Sequence, residues 1–409
     1  MKRVWGVFGI AALIALVPVY EAQARSTKKK TTPSAPQKIA EPIDPHAWKS
    51  CEGSPTSVSI PGCTLVINAP GEAESRITQA YFYRGKAYNL KNDVDHAIAD
   101  FNEVIRRNPQ HLKALLERGA AYRVKRQYER ALADFNHVIE LDPNYTEAYN
   151  TRGWYYRERN PELAGADFNK ALTLSNQAIE QKIDLAENLN RRAEAYAGKD
   201  ENDRALNDLN QAINLKPENI EAHANRATVY YNKGDIDRAI EFFDETLKRE
   251  PDYQAVIVTR GYAHNAKNQH ALAIADFTRA LSLYPQDADA YNMRGVAYHN
   301  SGDVGSAIMN YSEAIRLQSD HPIAYLNRGA AYSDRSEYDL AIADYSRAIE
   351  ITPKNTHAYA KRCIAYVAKG EHERALADMT SIIRLKPDDA EAYYRRGSIF
   401  VLLSDKDQS

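Results

Sequence analysis

Apolar positions along this chain recur with a helical period, and the helices they define recur as a block. In Leu112–Tyr145, LKALLERGAAYRVKRQYERALADFNHVIELDPNY, places four, eight and eleven carry Leu, Gly and Tyr on one face of a 3.6-residue helix. Places twenty and twenty-four carry Ala and Phe, four residues apart and so again on one helical face. The block of 34 residues returns with drift from about Thr78 to the C-terminus. A fixed period of this length predicts a repeat array in which each unit packs only on its neighbours.

The clearest marker is an Arg at place seven followed by a small residue. It reads Arg84-Gly85, Arg118-Gly119, Arg152-Gly153, Arg192-Ala193, Arg226-Ala227, Arg260-Gly261, Arg294-Gly295, Arg328-Gly329, Arg362-Cys363 and Arg396-Gly397. Every interval is 34 residues except that from Arg152 to Arg192, which is 40. This predicts an all-α solenoid of antiparallel helix pairs, nine full units and one closing helix at Ala390–Leu403. A small residue at place eight lets two helix backbones approach. Ala fills place twenty in all nine units, and Phe, Leu, Tyr or Met fills place twenty-four. Proline closes seven of the nine units and stops the second helix, with Ser319 in its place in the seventh. The third unit loses a residue near Asn160-Pro161 and gains seven at Gln177–Ile183. SNQAIEQKID contains good helix formers and neither Gly nor Pro, so the second helix there is expected to run on by about two turns.

The first 77 residues break the pattern. Lys2 and Arg3, the apolar run Val4–Tyr20 and Ala22-Gln23-Ala24 have the three-part form of a secretory signal peptide, residues 1–24, cleaved after Ala24. The alternative is an uncleaved anchor, although the run is short for a span and Pro18 interrupts its end. A basic, proline-rich linker is expected over 25–47, either as a solvated tether or as an arm touching an anionic surface. Export makes the mature chain periplasmic or secreted and disulfide-permissive. Cys51 and Cys63 then suit a disulfide pinning a degenerate cap, residues 48–77, over the exposed end of the first unit. Two thiols without nearby His or further Cys supply too few ligands for a metal. Cys363 stands at a small-residue place and is expected to be a buried, inert thiol.

Composition adds little. With 409 residues, 44% hydrophobic, 26% charged and a net charge of −2, the chain is ordinary globular material with no argument for nucleic acid. The eleven His show no paired-ligand spacing, and no phosphate loop or nucleophile-elbow motif is present. No cofactor and no catalytic residue is expected, and an enzyme ranks last.

The pattern aromatic-x3-Gly-x2-Tyr, then Ala-x3-Phe, then Pro, resembles the tetratricopeptide repeat over about 78–409. Arg where Leu is common before the Gly is a variant familiar in bacterial members. The preceding Cys63-Thr64-x-x-Ile67 is similar to exported repeat proteins of alphaproteobacteria. The resemblance implies a right-handed superhelix whose concave face, lined by first helices, holds extended peptides or partner helices. It also implies that Lys, Arg and Asn clamps can grip a carboxylate terminus.

The ten place-seven arginines would suit a polyanion, but Asp at place twenty-three in seven units, with Asn310 in an eighth, predicts an Arg–Asp ladder between helices. Exposed pairs of this kind contribute ~0–1 kcal/mol each. Recognition is expected instead at places two, five, nine and twelve, which vary between units. Near the N-terminus these give Phe82, Lys86, Asn89, Lys113, Arg123, Asn150, Trp154 and Arg157, a basic set with aromatics interleaved. Further along they give Tyr231, Tyr262, Asn265, Asn292 and His299. Lys86, Asn89, Arg123 and Arg157 are the candidate clamp, and Trp154 the candidate hot spot. The leading expectation is a scaffold for a protein or peptide, with an acidic or carboxylate end suiting the clamp. The alternative is a glycan-associated envelope protein stacking sugars on Trp154, Tyr231 and Tyr262. Self-association through the apolar C-terminal helix is a further alternative.

Overall fold

A computed structural model describes residues 45–52, 59–91 and 93–406. The expected signal peptide, and the linker as far as residue 44, lie outside these residues. Among the described residues every regular element is an α-helix. The chain divides into two compact units, one ending at Ala222 and the other beginning at His223.

In the unit ending at Ala222, the helices Pro45–Glu52 and Ser59–Ile67 form a hairpin. The pairs Glu74–Leu90 with Val94–Arg107, Leu112–Val124 with Tyr128–Leu141, Thr146–Tyr156 with Pro161–Glu180, and Leu185–Gly198 with Asn202–Leu215 follow. In the unit beginning at His223, Ile236–Arg249 is followed by the pairs Gln254–Ala266 with His270–Leu283, Ala288–Asn300 with Val304–Leu317, Pro322–Asp334 with Tyr338–Ile351, and Thr356–Ala368 with His372–Leu385. The helix Ala390–Lys406 comes last, and Ile220–Lys233 straddles the division. Within each unit, successive helices pack on one another, as the 34-residue spacing requires.

The place-eight residue and the place-twenty-four ring account for the pairing. A methyl added to Gly119 would stand 2.5 Å from the Phe135 ring, and at Gly85, Gly153 and Gly261 the gaps are 2.8, 2.7 and 3.0 Å. Phe101, Phe135, Phe243 and Phe277 are fully buried, together with the alanines four residues before them. The second helix therefore plugs into the first, and at these glycines an added Cβ would crowd the ring.

Backbone geometry fixes the turns. Place fifteen, between the two helices, is left-handed at Arg126, Asp200, Asn268 and Ser336 with φ from 56 to 64°, and at Gly234, Gly302 and Gly370 with φ from 73 to 91°. The third unit lacks this residue: Asn160 there has φ −151° and caps Leu163 N at 3.2 Å. The residues before Pro109, Pro143 and Pro353 are extended, with φ between −138 and −131°, as a following proline requires. Gln318 takes the same form, φ −135°, before Ser319, so packing of the next helix holds the turn without a proline. The insertion appears as Pro161–Glu180, 20 residues against 14 in the second helices of other pairs, closed by left-handed Lys182 and Asp184.

The cap starts earlier than expected. Pro45, Ala47 and the residue between them, assigned to the linker by composition, open the helix Pro45–Glu52. Proline is pre-organised for a first helical turn, and Ala47 is buried with Cys51, Cys63, Val66 and Ala80 under Trp48 and Tyr83. The Cys51–Cys63 disulfide, Cα–Cα 4.6 Å, joins the two cap helices. Cys363 is buried, and burial pushes its thiol up to about 11, in keeping with an inert side chain.

Replacing Gly119 by Ala is expected to destabilise the fold by ~1–3 kcal/mol through overpacking against Phe135. Denaturant titration checks it, and an unchanged midpoint would contradict the close-approach account.

Candidate functional site

The place-seven arginines form the predicted ladder, and they reach further than expected. Arg118 donates from Nε and Nη2 to both oxygens of Asp134, at 2.9 and 2.7 Å, and from Nη1 to Asn102 Oδ1 at 2.8 Å. Asp134 lies on its own second helix and Asn102 on the second helix of the preceding pair. Arg152 bonds Asp167 and Asn136, and Arg192 bonds Asp208 and Asn176, in the same way. In the unit beginning at His223, Arg260 bonds Asp276 and Asp244, Arg328 bonds Asp344 and Ser312, and Arg362 bonds Asp378 and Ser346. Arg226 differs because Phe242 holds place twenty-three: its guanidinium lies 3.9 Å from that ring and 3.3 Å from Glu245.

The expected value of these pairs needs correcting. The aspartates are only 2–6% exposed, so these are buried, bidentate pairs and not surface ones. Burial raises Asp100 and Asp378 even though Arg84 and Arg362 pull them down. Removing one partner of such a pair costs ~3–5 kcal/mol, because the other charge is left buried. The ladder is structural, and its arginines are occupied.

Several residues expected to face a ligand are held inside the fold. Trp154 is 6% exposed, edge-on to Phe168 at 5.5 Å and beneath the Arg157 guanidinium at 5.0 Å. It is not an open platform. Asn150, 2% exposed, donates to Arg191 O at 2.8 Å and to Glu194 Oε2 at 3.0 Å on the next first helix. Its Oδ1 has no hydrogen-bond partner among the described residues. Phe82 packs on the His111 ring at 4.9 Å, and Arg157 donates to Asp200 at 2.7 Å. Burial and then nearby Arg159 lower Arg123 to about 10. Lys113 is exposed.

The expected basic set shares its face with acids. Lys86 stands 3.8 Å from Glu117, and Asn89 donates to the same carboxylate at 3.4 Å. Arg191 lies 3.9 Å from Glu147 and 3.6 Å from Glu187. Glu194 and Glu221 join them: each is pushed upward first by burial among the surrounding helices, and Glu147 adds to both. Glu221 is nonetheless open to solvent, so screening trims its shift. Five glutamates thus share the first-helix face with Lys86 and Arg191. They occupy places two, six and nine, where a tally of both charge signs would have found them.

In the unit beginning at His223 the expected residues are mostly paired within the chain. Asn292, buried, accepts from Asn327 Nδ2 at 2.9 Å; His299 meets Asp334 at 2.7 Å; the His270 ring stands 3.2 Å from Asn265 Oδ1. Tyr262 sits edge-on to Phe277 at 5.6 Å, and burial raises its hydroxyl, with Asp289 and Asp287 adding. Burial raises the Tyr231 hydroxyl to about 12. Asp287 was missed. It caps Ala290 N at 2.9 Å, accepts from Gln254 at 2.8 Å, and is pushed up to about 7 by burial and then by Asp289. Asp289 in turn meets His321 at 3.0 Å. The signal was an Asp just before the helix Ala288–Asn300.

A carboxyl raised from 3.8 to about 7 on folding binds its proton more tightly in the folded state. Its stabilising contribution is full below pH 3.8 and is lost as pH rises through about 7. Melting temperature is therefore expected to fall between pH 5 and pH 8 in part through Asp287, roughly by the linkage of one titrating group. Asp287→Asn, which keeps the capping oxygen, is expected to flatten that slope. An unaltered slope would contradict the assignment.

Family models described as tetratricopeptide repeat match residues 78–111, 112–145, 196–257, 322–355 and 362–409, and one described as TPR repeat matches 261–302 and 298–335. No curated protein matches the chain. Among solved structures, MamA is 25% identical with TM-score 0.39, over 43% of this chain and 96% of its own. YrrB, described as a TPR protein with an unusual peptide-binding site, is 20% identical with TM-score 0.39, over 46% of this chain and 97% of its own. Yeast Tom70 is 16% identical with TM-score 0.48, over 86% of each chain. With the repeat pattern, the helix pairs and the family models together, the chain belongs to the tetratricopeptide repeat family.

Proposed function

We propose that this protein is a non-catalytic scaffold that binds a protein or peptide partner along the first-helix face of the unit ending at Ala222. The observation that carries the proposal is the set of charged side chains on that face that packing and ladder leave over. Glu117, Glu147, Glu187, Glu194 and Glu221 gather locally around Lys86 and Arg191, while Lys113 and Arg123 stand elsewhere along the helix that carries Glu117. Beside them Asn150 Oδ1 is buried without a donor among the described residues. Such a face attracts a basic segment and repels an acidic one. The carboxylate-ended ligand suggested by the clamp is disfavoured by the same charges. The glycan alternative loses Trp154, its principal stacking surface.

The signal-like N-terminus supports a place for this scaffold in the periplasm or cell envelope. A mature protein beginning at Arg25 is the expected result of N-terminal sequencing, and an intact Met1 on exported protein would contradict cleavage. No helix among the described residues is long and apolar enough to cross a membrane.

Fluorescence anisotropy with labelled extended peptides of matched length, one Lys/Arg-rich and one Asp/Glu-rich, tests the face. The basic peptide is expected to bind about tenfold or more tightly than the acidic one, and to weaken as salt rises. Glu147→Gln/Glu187→Gln/Glu221→Gln is expected to remove most of the difference. Equal binding of the two peptides, or a preference untouched by the triple variant, would refute the proposal.

A further inference from the structure

The last residue of a unit caps the first helix of the next, and at two such places the cap is a histidine. Asn219 accepts from Ala222 N at 3.1 Å, Asp287 from Ala290 N at 2.9 Å and Asp389 from Ala392 N at 3.0 Å, the side chains a helix start ordinarily uses. His111 Nδ1 accepts from Ala114 N at 3.1 Å, and His321 Nδ1 from Ala324 N at 3.3 Å. A ring nitrogen accepts only where it carries no proton, so this cap requires the neutral imidazole with its hydrogen on Nε2. A proton added at Nδ1 removes the acceptor and sets a cation against the positive end of the helix.

What stands behind the two rings differs. His321 Nε2 meets Asp289 Oδ1 at 3.0 Å, so a protonated ring there is still tethered. His111 lies against the Phe82 ring at 4.9 Å, and Lys86 stands over the same Phe82 at 5.9 Å. Burial lowers the pKa of the His111 ring, a backbone hydrogen bond of its own raises it, and Lys113 lowers it further. Carboxylates on the helices around it are engaged elsewhere: Glu117 with Lys86 and Asn89, Glu74 and Glu103 with Arg107, and Glu140 with His137. With the folded value below the ordinary 6.5, the cap's contribution is full above 6.5 and is lost as pH falls below it.

We propose that His111 is an acid-sensitive cap: on acidification its ring releases Ala114 N and the first turn of Leu112–Val124 frays, while His321, held by Asp289, keeps its helix start. The break is local, because the Phe135 ring against Gly119 still joins that helix to its partner. The turn that frays carries Lys113 and leads to Glu117, so acid reshapes this stretch of the first-helix face. The inference does not depend on what that face binds.

Hydrogen exchange of the whole chain, read by mass spectrometry and corrected for intrinsic rates, tests this at about pH 7.5 and about pH 5, either side of an ordinary histidine. Protection over residues 112–117 is expected to fall about five- to thirtyfold on acidification, the factor that losing one cap corresponds to, and to hold over residues 322–327. His111→Asn keeps a capping acceptor, as Asn219 does, and does not titrate. It is expected to stay folded and to abolish the fall, whereas His321→Asn leaves the fall in place. Protection over residues 112–117 that is indifferent to pH in the wild type, or that falls equally in His111→Asn, would overturn the inference. So would an equal fall over residues 322–327, since Asp289 would then not distinguish the two rings.

Discussion

A single guanidinium reaching two second helices is the interaction on which the array rests. Where place twenty-three is Asp, the place-seven arginine on the first helix closes a bidentate pair with that aspartate and extends its third nitrogen to the second helix before it. Packing of the ring on the place-eight glycine is local to one pair, although Phe168 also meets Gly198 of the next. The arginine bonds the pair to the one preceding it. Because the carboxylates are buried, the charges compensate one another and cannot be spared singly. Asn310 is the exception: it gives up the charge but keeps an acceptor, taking Arg294 Nε at 2.8 Å. The same constraint explains why Phe242 needs Glu245, four residues from the position before it, to meet Arg226.

Much of this was legible in the sequence. The 34-residue period placed the helices, and Ala at place twenty with a large side chain at twenty-four placed the core. What was not legible follows from the way helices meet in a stack. Places five and nine were read as facing away because an isolated helix pair leaves them open. A first helix also touches the next first helix, and that contact buries Asn150 against Arg191 and Glu194, and Asn292 against Asn327. Trp154 is covered from its own pair by Phe168. The acidic character was present in the letters but hidden by tallying cations alone. Pro45 as a helix start was masked by a linker-like composition. The left-handed turn was visible at Gly234, Gly302 and Gly370 but disguised at Arg126, Asp200, Asn268 and Ser336.

The division of labour among residues has a functional consequence. Places set by the ladder and the plug are saturated within the chain, so they cannot also select a partner. Selection falls to side chains that differ from one pair to the next. In the unit ending at Ala222 these converge as glutamates around Lys86 and Arg191. In the unit beginning at His223 they are largely spent on internal pairs such as His299 with Asp334 and His321 with Asp289. Raised carboxyls at Glu194 and Asp287 record the strain of gathering acids in enclosed places. A cationic partner, as proposed, would relieve that strain at the first of these sites.

The most direct measurement is a double-mutant cycle on Arg152 and Asp167, with unfolding free energy and basic-peptide affinity read on the same proteins. If the ladder is structural, Arg152→Met and Asp167→Leu each destabilise by ~3 kcal/mol or more, the double variant recovers much of the loss, and peptide affinity stays constant throughout. Additive stability effects accompanied by loss of peptide binding in Arg152→Met would contradict the account, because the arginine stripe would then be the binding site.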